Sequence, residues 1–167
     1  MPFGQQDSAT VQTGQQVITV CAAIHKKIDG KEKIFMPKRA DTKKFLPGVF
    51  ELPGGHVDYG EELVPALARE VAEELRADII VHEPFAAFTY MNDIKQTHSV
   101  EIVYFAEFTN PDQVITLDSA DHSEYVWVAS DEIEKVYTDT KGADDDEMVV
   151  LRRAFAILDA KQSSSVV

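Results

Sequence analysis

Four ionisable side chains lie close together in the segment AREVAEEL: Arg69, Glu70, Glu73 and Glu74. On a helix, Glu73 and Glu74 lie about 60° and 40° to either side of Glu70, so the three carboxylates share one face. Like charges at these spacings destabilise an isolated helix by about 0.2–0.5 kcal/mol per pair, which calls for a positive partner. A hard divalent cation such as Mg²⁺ suits an all-oxygen site. A solvated acidic face would have the same composition, so the surrounding sequence has to decide between the two.

The helix that carries these acids is predicted from Glu62 to about Arg76. Leu67, Val71 and Leu75 recur every four residues and form an apolar stripe beside the acidic face. Pro65 falls in the first turn, where its missing N–H is tolerated. The helix can therefore bury one stripe and present the other.

The acids also belong to a longer pattern of fixed spacing. Gly55 is followed after five residues by Glu61, and after seven more by REVAEE at residues 69–74. This pattern resembles the Nudix box, G-x5-E-x7-R-E-U-x-E-E-x-G-U, in which U is a bulky aliphatic residue. Arg76 stands where the family has Gly, and Ala77 stands where it has a larger aliphatic residue.

The departure at Arg76 concerns the end of the helix. Gly at this position closes a helix in the left-handed conformation. With Arg76 there, we expect the helix either to run on by a few residues or to accept a penalty of about 1–2 kcal/mol. The carboxylates precede this position, so the metal-binding face survives in either case.

The resemblance implies an α/β/α sandwich, an α+β fold in which a mixed β-sheet is flanked by helices. It also implies hydrolysis of a nucleoside diphosphate linked to another group, with Mg²⁺ as cofactor, Mn²⁺ as a substitute, and a homodimer as a frequent assembly. Arg69 would orient the carboxylate of Glu70, while Gly55 and Glu61 would support the site. The implied metal ligands are the backbone carbonyl of Gly54 and the carboxylates of Glu70, Glu73 and Glu74.

Hydrolysis of a diphosphate needs a base that takes a proton from water. We expect Glu70 or Glu124 to do this, in that order, with His122 ranked below both. Arg39 is the candidate phosphate contact because its guanidinium offers a bidentate fork. His56 follows the glycines at the mouth of the site and is a candidate substrate contact; a surface role or no role is the alternative for each of these residues.

The substrate is less defined than the reaction. GGHVDYGEE is most similar to family members that act on nucleoside triphosphates, which favours a nucleoside triphosphate pyrophosphohydrolase. The alternative is a catalytically silent Nudix-like module that binds a nucleotide or a protein. Phe88, Tyr90 and Phe105 could stack on a base, although aromatic residues on strands are more often part of the core.

Strands must hold the predicted helix in place. VITVCAAIHKK, IDGKEK and KIFMP predict a β-hairpin, and VFEL predicts a short strand that ends at the break Pro53-Gly54-Gly55. The last helix is predicted from about Asp146 to Ala160, with the acids of residues 143–147 as its N-terminal cap. The order of elements favours a mixed sheet with helices on two faces. Further strands are predicted in three β-branched and aromatic segments, 79–90, 99–108 and 124–128.

Composition limits the partners and the compartment. The 167 residues fit one domain, predicted over residues 16–160 between loose segments 1–15 and 161–167. A net charge of -13 argues against duplex nucleic acid and anionic membranes as partners. Cys21, the only cysteine, lies in an apolar run and predicts a buried thiol in a reducing compartment. Without a membrane-length apolar run or a signal peptide, the chain is expected in the cytoplasm.

Overall fold

The computed structural model describes residues 14–164 of the chain. Parts of the two segments expected to be loose, residues 1–13 and 165–167, lie outside the described residues. The first described element is strand β1, Gln15–Ile28, and the last is helix α2, Asp146–Ser164.

Strand β1 organises the sheet because it pairs with three other strands. Its first ten residues run parallel to β5, Thr97–Phe108. On its other edge, it pairs antiparallel first with the short strand β3, Gly54–His56, and then with β2, Lys31–Arg39. Every part of the sheet is therefore one or two strands away from β1.

Two antiparallel strands complete the sheet. Strand β4, Ile79–Asn92, pairs with β5, and strand β6, His122–Ala129, pairs with β2. The described residues thus form a six-stranded mixed sheet in the order β4-β5-β1-β2-β6, with β3 attached to β1. This architecture confirms the predicted mixed sheet between helices.

The predicted hairpin is formed by β1 and β2. Asp29 and Gly30, which connect the strands, have φ angles of 52° and 80°. Positive φ at both central residues matches the right-handed twist of the flanking strands, which is why Asp-Gly favours this turn.

Alternation along β1 divides the core into two layers. Val20, Ala22 and Ile24 pack on the side of helix α1, Leu63–Leu75, whose apolar stripe has the predicted spacing. Cys21 and Ala23 point to the opposite face, where they belong to the cluster that contains Met148, Leu151, Ala154 and Phe155 of α2. The sheet is consequently covered on both sides, and the burial of Cys21 is confirmed.

Helix α1 ends at Leu75, because Arg76 takes the left-handed conformation with φ 52° and ψ 40°. The N–H of Arg76 donates to the carbonyl of Ala72 at 3.1 Å. Of the two outcomes expected for Arg76, the chain adopts the strained cap rather than a longer helix. The acidic face therefore ends where a Gly-capped helix would end it.

Two local predictions before α1 were wrong. The segment VFEL does not form a strand, since Phe50 makes only an isolated bridge to Lys38. The predicted break at Gly54-Gly55 is instead strand β3. A side chain at position 54 would place its Cβ 2.0 Å from the carbonyl oxygen of Val20, so the missing side chain is what lets β3 approach β1.

The second predicted helix is present and extends to Ser164. The side chain of Asp145 caps it by accepting a hydrogen bond from the N–H of Glu147 at 3.0 Å, as the acidic run predicted. A 3₁₀ helix at Ser130–Val136 follows β6. Within residues 14–164, no helix is both long and apolar enough to span a membrane.

The strained cap generates a stability prediction. Arg76→Gly should raise the free energy of unfolding by about 1 kcal/mol, because Gly adopts the left-handed conformation without a Cβ penalty. Urea unfolding measures the change. Arg76→Ala is the matched control, since it keeps the Cβ and removes only the weak ion pair to Asp118 at 3.6 Å. An equal gain from both substitutions would contradict backbone strain as the cause.

Candidate active site

Arg69 joins helix α1 to the loop that precedes it. Its guanidinium donates to both carboxylate oxygens of Glu61, at 2.9 and 2.8 Å, and to the backbone carbonyl of His56 at 3.0 Å. A further N–H donates to Glu70 Oε1 at 2.9 Å. Arg69 thus holds the end of β3, the loop and the acidic face in one arrangement.

Glu61 is the main partner of this arginine. The hydrogen bond from Arg69 and a second one from the N–H of Asp58 lower the pKa of Glu61 to about 2. The same carboxylate raises the pKa of Arg69 above its usual value, so both groups stay charged at neutral pH. This ion pair fixes the guanidinium that reaches Glu70.

The two glycines of β3 make room for two of the carboxylates. A Cβ at Gly55 would lie 2.4 Å from Glu70 Oε2, so the Glu70 carboxylate occupies the space that a side chain would fill. The N–H of Gly54 donates to Glu74 Oε2 at 3.1 Å. The backbone of β3 and the acidic face of α1 are therefore in direct contact.

The carboxylate of Glu74 is short of positive charge. Burial raises its pKa well above the ordinary value, and the charges of Glu51, Asp121 and Glu70 add to this effect. Glu73 differs, because its side chain is exposed and lies 3.6 Å from the guanidinium of Arg69. The face thus combines one buried, one partly buried and one exposed carboxylate.

These groups fit a hard divalent cation by their chemistry. The donors are carboxylate and backbone oxygens, which Mg²⁺ prefers, and a cation would relieve the repulsion around Glu74. The side chains do not converge by themselves: in residues 14–164, no three His, Cys, Asp or Glu side chains are grouped closely enough to hold a metal.

A cavity of about 870 Å³ opens beside β3. Of the residues predicted from the sequence to form the site, Arg39, Gly54, Gly55, His56 and Glu74 line it. Glu70 adjoins it through its contact with Gly55. The floor of this cavity was not predicted from the sequence. It includes four further charged side chains: Glu51, Glu101, Lys141 and Glu147.

Arg39 lies at the cavity, but much of its guanidinium is already engaged. Its NH1 group donates to both oxygens of Glu51 at 3.1 Å, and its Nε donates to the carbonyl of Phe45 at 3.1 Å. Burial raises the pKa of Glu51, but the hydrogen bond with the buried His122 and the charge of Arg39 outweigh it and lower that pKa. The structure thus links Arg39 and His122 through one carboxylate.

A buried ion pair between Lys141 and Glu147 lies at the floor of the cavity. Lys141 bonds to Glu147 and donates to the carbonyl of Phe50 at 3.0 Å, while Glu147 also accepts the N–H of Leu52. Burial raises the pKa of Glu147 to about 7, although Lys141 opposes the shift. This pair ties the segment before β3 to the start of α2.

Glu124 is not brought to this cavity. Its side chain is exposed and accepts a hydrogen bond from Lys38 at 2.9 Å, on the opposite side of the strand from Arg39. The register of β2 with β6 shifts between Lys38 and Arg39, so that Glu124 pairs with Lys38 while His122 pairs with Arg39. His56 lies at the mouth, where partial burial and the charge of Lys95 lower its pKa.

Comparison with known proteins gives consistent matches. The family model of the NUDIX domain matches residues 18–152. The nucleoside triphosphatase NudI of Salmonella schwarzengrund (strain CVM19633) is 29% identical in an alignment of 106 residues, and the match covers 58% of this chain and 72% of the relative.

Two solved structures share the fold over most of their length. A MutT protein from Methanosarcina mazei Go1 superposes with a TM-score of 0.67 at 23% identity, covering 89% of this chain and 96% of the other. An Ap4A hydrolase from C. elegans, in a binary complex, gives a TM-score of 0.68 at 25% identity and covers 87% and 98%.

The Glu61–Arg69 pair generates a pH prediction. The pKa of Glu61 falls from an ordinary 4.5 to about 2 in the folded chain, so its contribution to stability is complete above pH 4.5 and is lost as the pH falls towards 2. Glu61→Gln should lower the urea concentration at the unfolding midpoint at pH 7. It should also reduce the fall of that midpoint between pH 4.5 and 2. Glu62→Gln, at the exposed neighbour, should leave the profile of the wild type. Equal midpoints at pH 7 for wild type and Glu61→Gln would refute a stabilising pair.

Proposed function

The chain belongs to the Nudix hydrolase family, and from this premise we propose that it is a Mg²⁺-dependent pyrophosphohydrolase of nucleoside triphosphates. The observation that carries the proposal is the contact of β3 with the acidic face of α1 at the edge of the cavity. The reaction adds water across a phosphoric anhydride: a new P–O bond forms, the anhydride P–O bond breaks, and a nucleoside monophosphate and pyrophosphate are released.

The substrate class is supported by similarity and by size. A relative with 29% identity is named a nucleoside triphosphatase. The cavity of about 870 Å³ falls within the range of about 300–1,000 Å³ that is usual for small-molecule sites. A nucleotide therefore suits the space beside β3.

A polyanionic substrate must overcome the charge of the chain, which is -13. Lys44 and Lys95 line the cavity, and within the described part of the chain neither forms an ion pair. Lys95 lies close enough to His56 to lower its pKa. We propose that these two ammonium groups attract the phosphates first, because the guanidinium of Arg39 is already paired with Glu51.

Glu70, Glu73, Glu74 and the carbonyl of Gly54 would hold Mg²⁺, with Mn²⁺ as a substitute. The metal supplies neutralisation of the phosphoryl oxygens and a lowered pKa of bound water. Arg69 fixes the direction of the Glu70 carboxylate by its bond to Oε1. The N–H of Gly54 and the burial of Glu74 hold the second carboxylate against β3.

Glu70 is the proposed general base. Glu124, the other candidate from the sequence, is exposed and paired with Lys38 outside the cavity. Glu70 is partly buried, and its carboxylate lies against Gly55. Because Oε1 is bound to Arg69, we assign the proton from water to Oε2. Proton transfer from water to this carboxylate completes the nucleophile.

The alternative of a catalytically silent module rested on Arg76. Since Arg76 closes α1 at the usual place, the substitution does not displace the carboxylates. The cytoplasmic location and the homodimer remain predictions. The first agrees with the buried thiol of Cys21, and sedimentation velocity measures the second directly.

The proposed metal ligands generate the activity prediction. Glu73→Gln and Glu74→Gln should each lower the Mg²⁺-dependent hydrolysis of nucleoside triphosphates by about 100-fold or more, because each removes one charge that holds the metal. Release of pyrophosphate measures turnover. Glu62→Gln is the matched control at the start of the same helix and should keep the wild-type rate.

Thermal unfolding shows whether each variant keeps the fold. The exposed position of Glu73 makes its substitution the safer test. Undiminished hydrolysis in both folded variants would exclude this face as the metal site. A wild-type protein that binds nucleotides but releases no product with Mg²⁺ would favour the silent module.

A further inference from the structure

Glu101 is a carboxyl group in the cavity that the proposed reaction does not use. It lies on β5, directly opposite Thr19 of β1 in the register of the two strands. The hydroxyl of Thr19 donates to Glu101 Oε2 at 2.5 Å. The thiol of Cys21 also favours the charged form of this carboxyl group and so opposes the rise of its pKa. Glu101 is only partly exposed, and its exposed part faces the cavity.

Aromatic rings surround this carboxyl group. Phe88 of β4 is the register partner of Glu101 on its other side, and Tyr90 lies two residues further along the same face. Phe45, from the loop after β2, stacks on Tyr90 with a centroid distance of 6.2 Å and an interplanar angle of 15°. All three rings line the cavity, so this region offers flat apolar surface to a planar ligand.

The sheet fixes how far this region lies from the acidic face of α1. His56 of β3 and Glu101 of β5 are both register partners of Thr19, on opposite edges of β1. The backbones at these two positions are therefore two interstrand spacings apart, or about 10 Å. A nucleotide spans a comparable distance between its 5′-phosphate and the far edge of its base.

Glu101 is poorly supplied with positive charge. Among the side chains of residues 14–164, none forms an ion pair with it. Burial raises its pKa, although Thr19, Cys21 and the more distant Lys141 favour the charged form. A ligand that donates two hydrogen bonds to the Glu101 carboxylate would stabilise its charged form further.

We propose that Glu101 is the specificity-determining residue of the cavity and selects guanine nucleotides, accepting hydrogen bonds from N1–H and the 2-amino group of the base. Guanine presents these two donors side by side, which matches the two oxygens of a carboxylate. The corresponding edges of adenine, cytosine and uracil each place an acceptor beside a donor. This inference rests on the proposed function only in taking a nucleotide as the ligand.

The test changes one group on the ligand and one on the protein. The probes are the α,β-methylene triphosphates of guanosine and inosine with Mg²⁺, which resist cleavage at that position and differ only in the 2-amino group. Titration calorimetry with the wild type should show about tenfold tighter binding of the guanosine probe. Glu101→Gln should bring this ratio close to one, because its amide presents a donor where the carboxylate presents an acceptor.

Glu107→Gln is the matched control. Glu107 lies on the same strand but is exposed, bonds to His82 and does not line the cavity, so the tenfold ratio should persist. If Glu101→Gln does not fold, Thr19→Val replaces it and should reduce the same ratio. A ratio near one in the wild type, an unchanged ratio in Glu101→Gln, or tighter binding of the adenosine or cytidine analogue would overturn the proposal.

Failure of this proposal can be separated from failure of the proposed function. Binding of these probes does not require turnover, so the ratio is measured even if the chain hydrolyses nothing. Conversely, Mg²⁺-dependent release of pyrophosphate from all four common nucleoside triphosphates at equal rates would uphold the reaction and reject guanine selection.

Discussion

The tightest steric constraint on the candidate site is the close approach of β3 to β1 at Gly54. With φ at 152° and the carbonyl of Val20 only 2.0 Å from where a Cβ would be, no other residue fits this position without moving the backbone. This approach puts the N–H of Gly54 against Glu74 and the bare face of Gly55 against Glu70. The same pairing positions Thr19 between His56 and Glu101. The acidic face, and its distance from the aromatic rings on β4, therefore depend on a strand of three residues.

Charge balance explains why Arg69 has so many partners. Three carboxylates on one helical face repel one another, and Arg69 contacts two of them in addition to Glu61. Glu74 is buried and forms no ion pair with a basic side chain of residues 14–164, so its pKa rises. The folded chain thus neutralises part of the acidic face internally, and the remainder is the part that the proposed metal would neutralise. Complete internal neutralisation would stabilise the helix but would remove the affinity for a cation.

Local patterns predicted the helices well because their causes are local. The spacing of Leu67, Val71 and Leu75 specified α1, and the acids before Glu147 specified the cap of α2. The sequence left two possible ends for α1, a longer helix or a left-handed cap at Arg76. It could not decide between them, because the free-energy cost of the left-handed Arg76 has to be compared with the cost of extending the helix. Gly54-Gly55 was misread as a break, because glycine weakens strands in general. Its use for close backbone approach at Gly54 depends on a partner, Cys21, that lies 33 residues earlier.

Positions that depend on strand register were the least predictable. Glu124 has a suitable side chain, yet its pairing with Lys38 turns it away from the cavity. Glu101 was overlooked because its hydrogen-bond partner Thr19 lies 82 residues away on a parallel strand. One local signal was available: Glu101 shares the inward parity of Val103 and Phe105, which are both buried. A carboxylate on the apolar side of a strand costs free energy unless it is paired, so such a residue points to a ligand or to a buried network.

The acidic composition of the chain and its anionic substrate are reconciled by where the charges lie. The buried acids of the floor are mostly bound by neighbours: Glu51 by Arg39 and His122, and Glu147 by Lys141. Lys44 and Lys95 are exposed at the cavity without ion-pair partners in the described chain. Under the proposed function, a phosphate chain would meet cationic groups first and the acidic face only together with a metal. Net charge alone would predict repulsion, whereas this local arrangement would favour a metal-bound nucleotide over a free one.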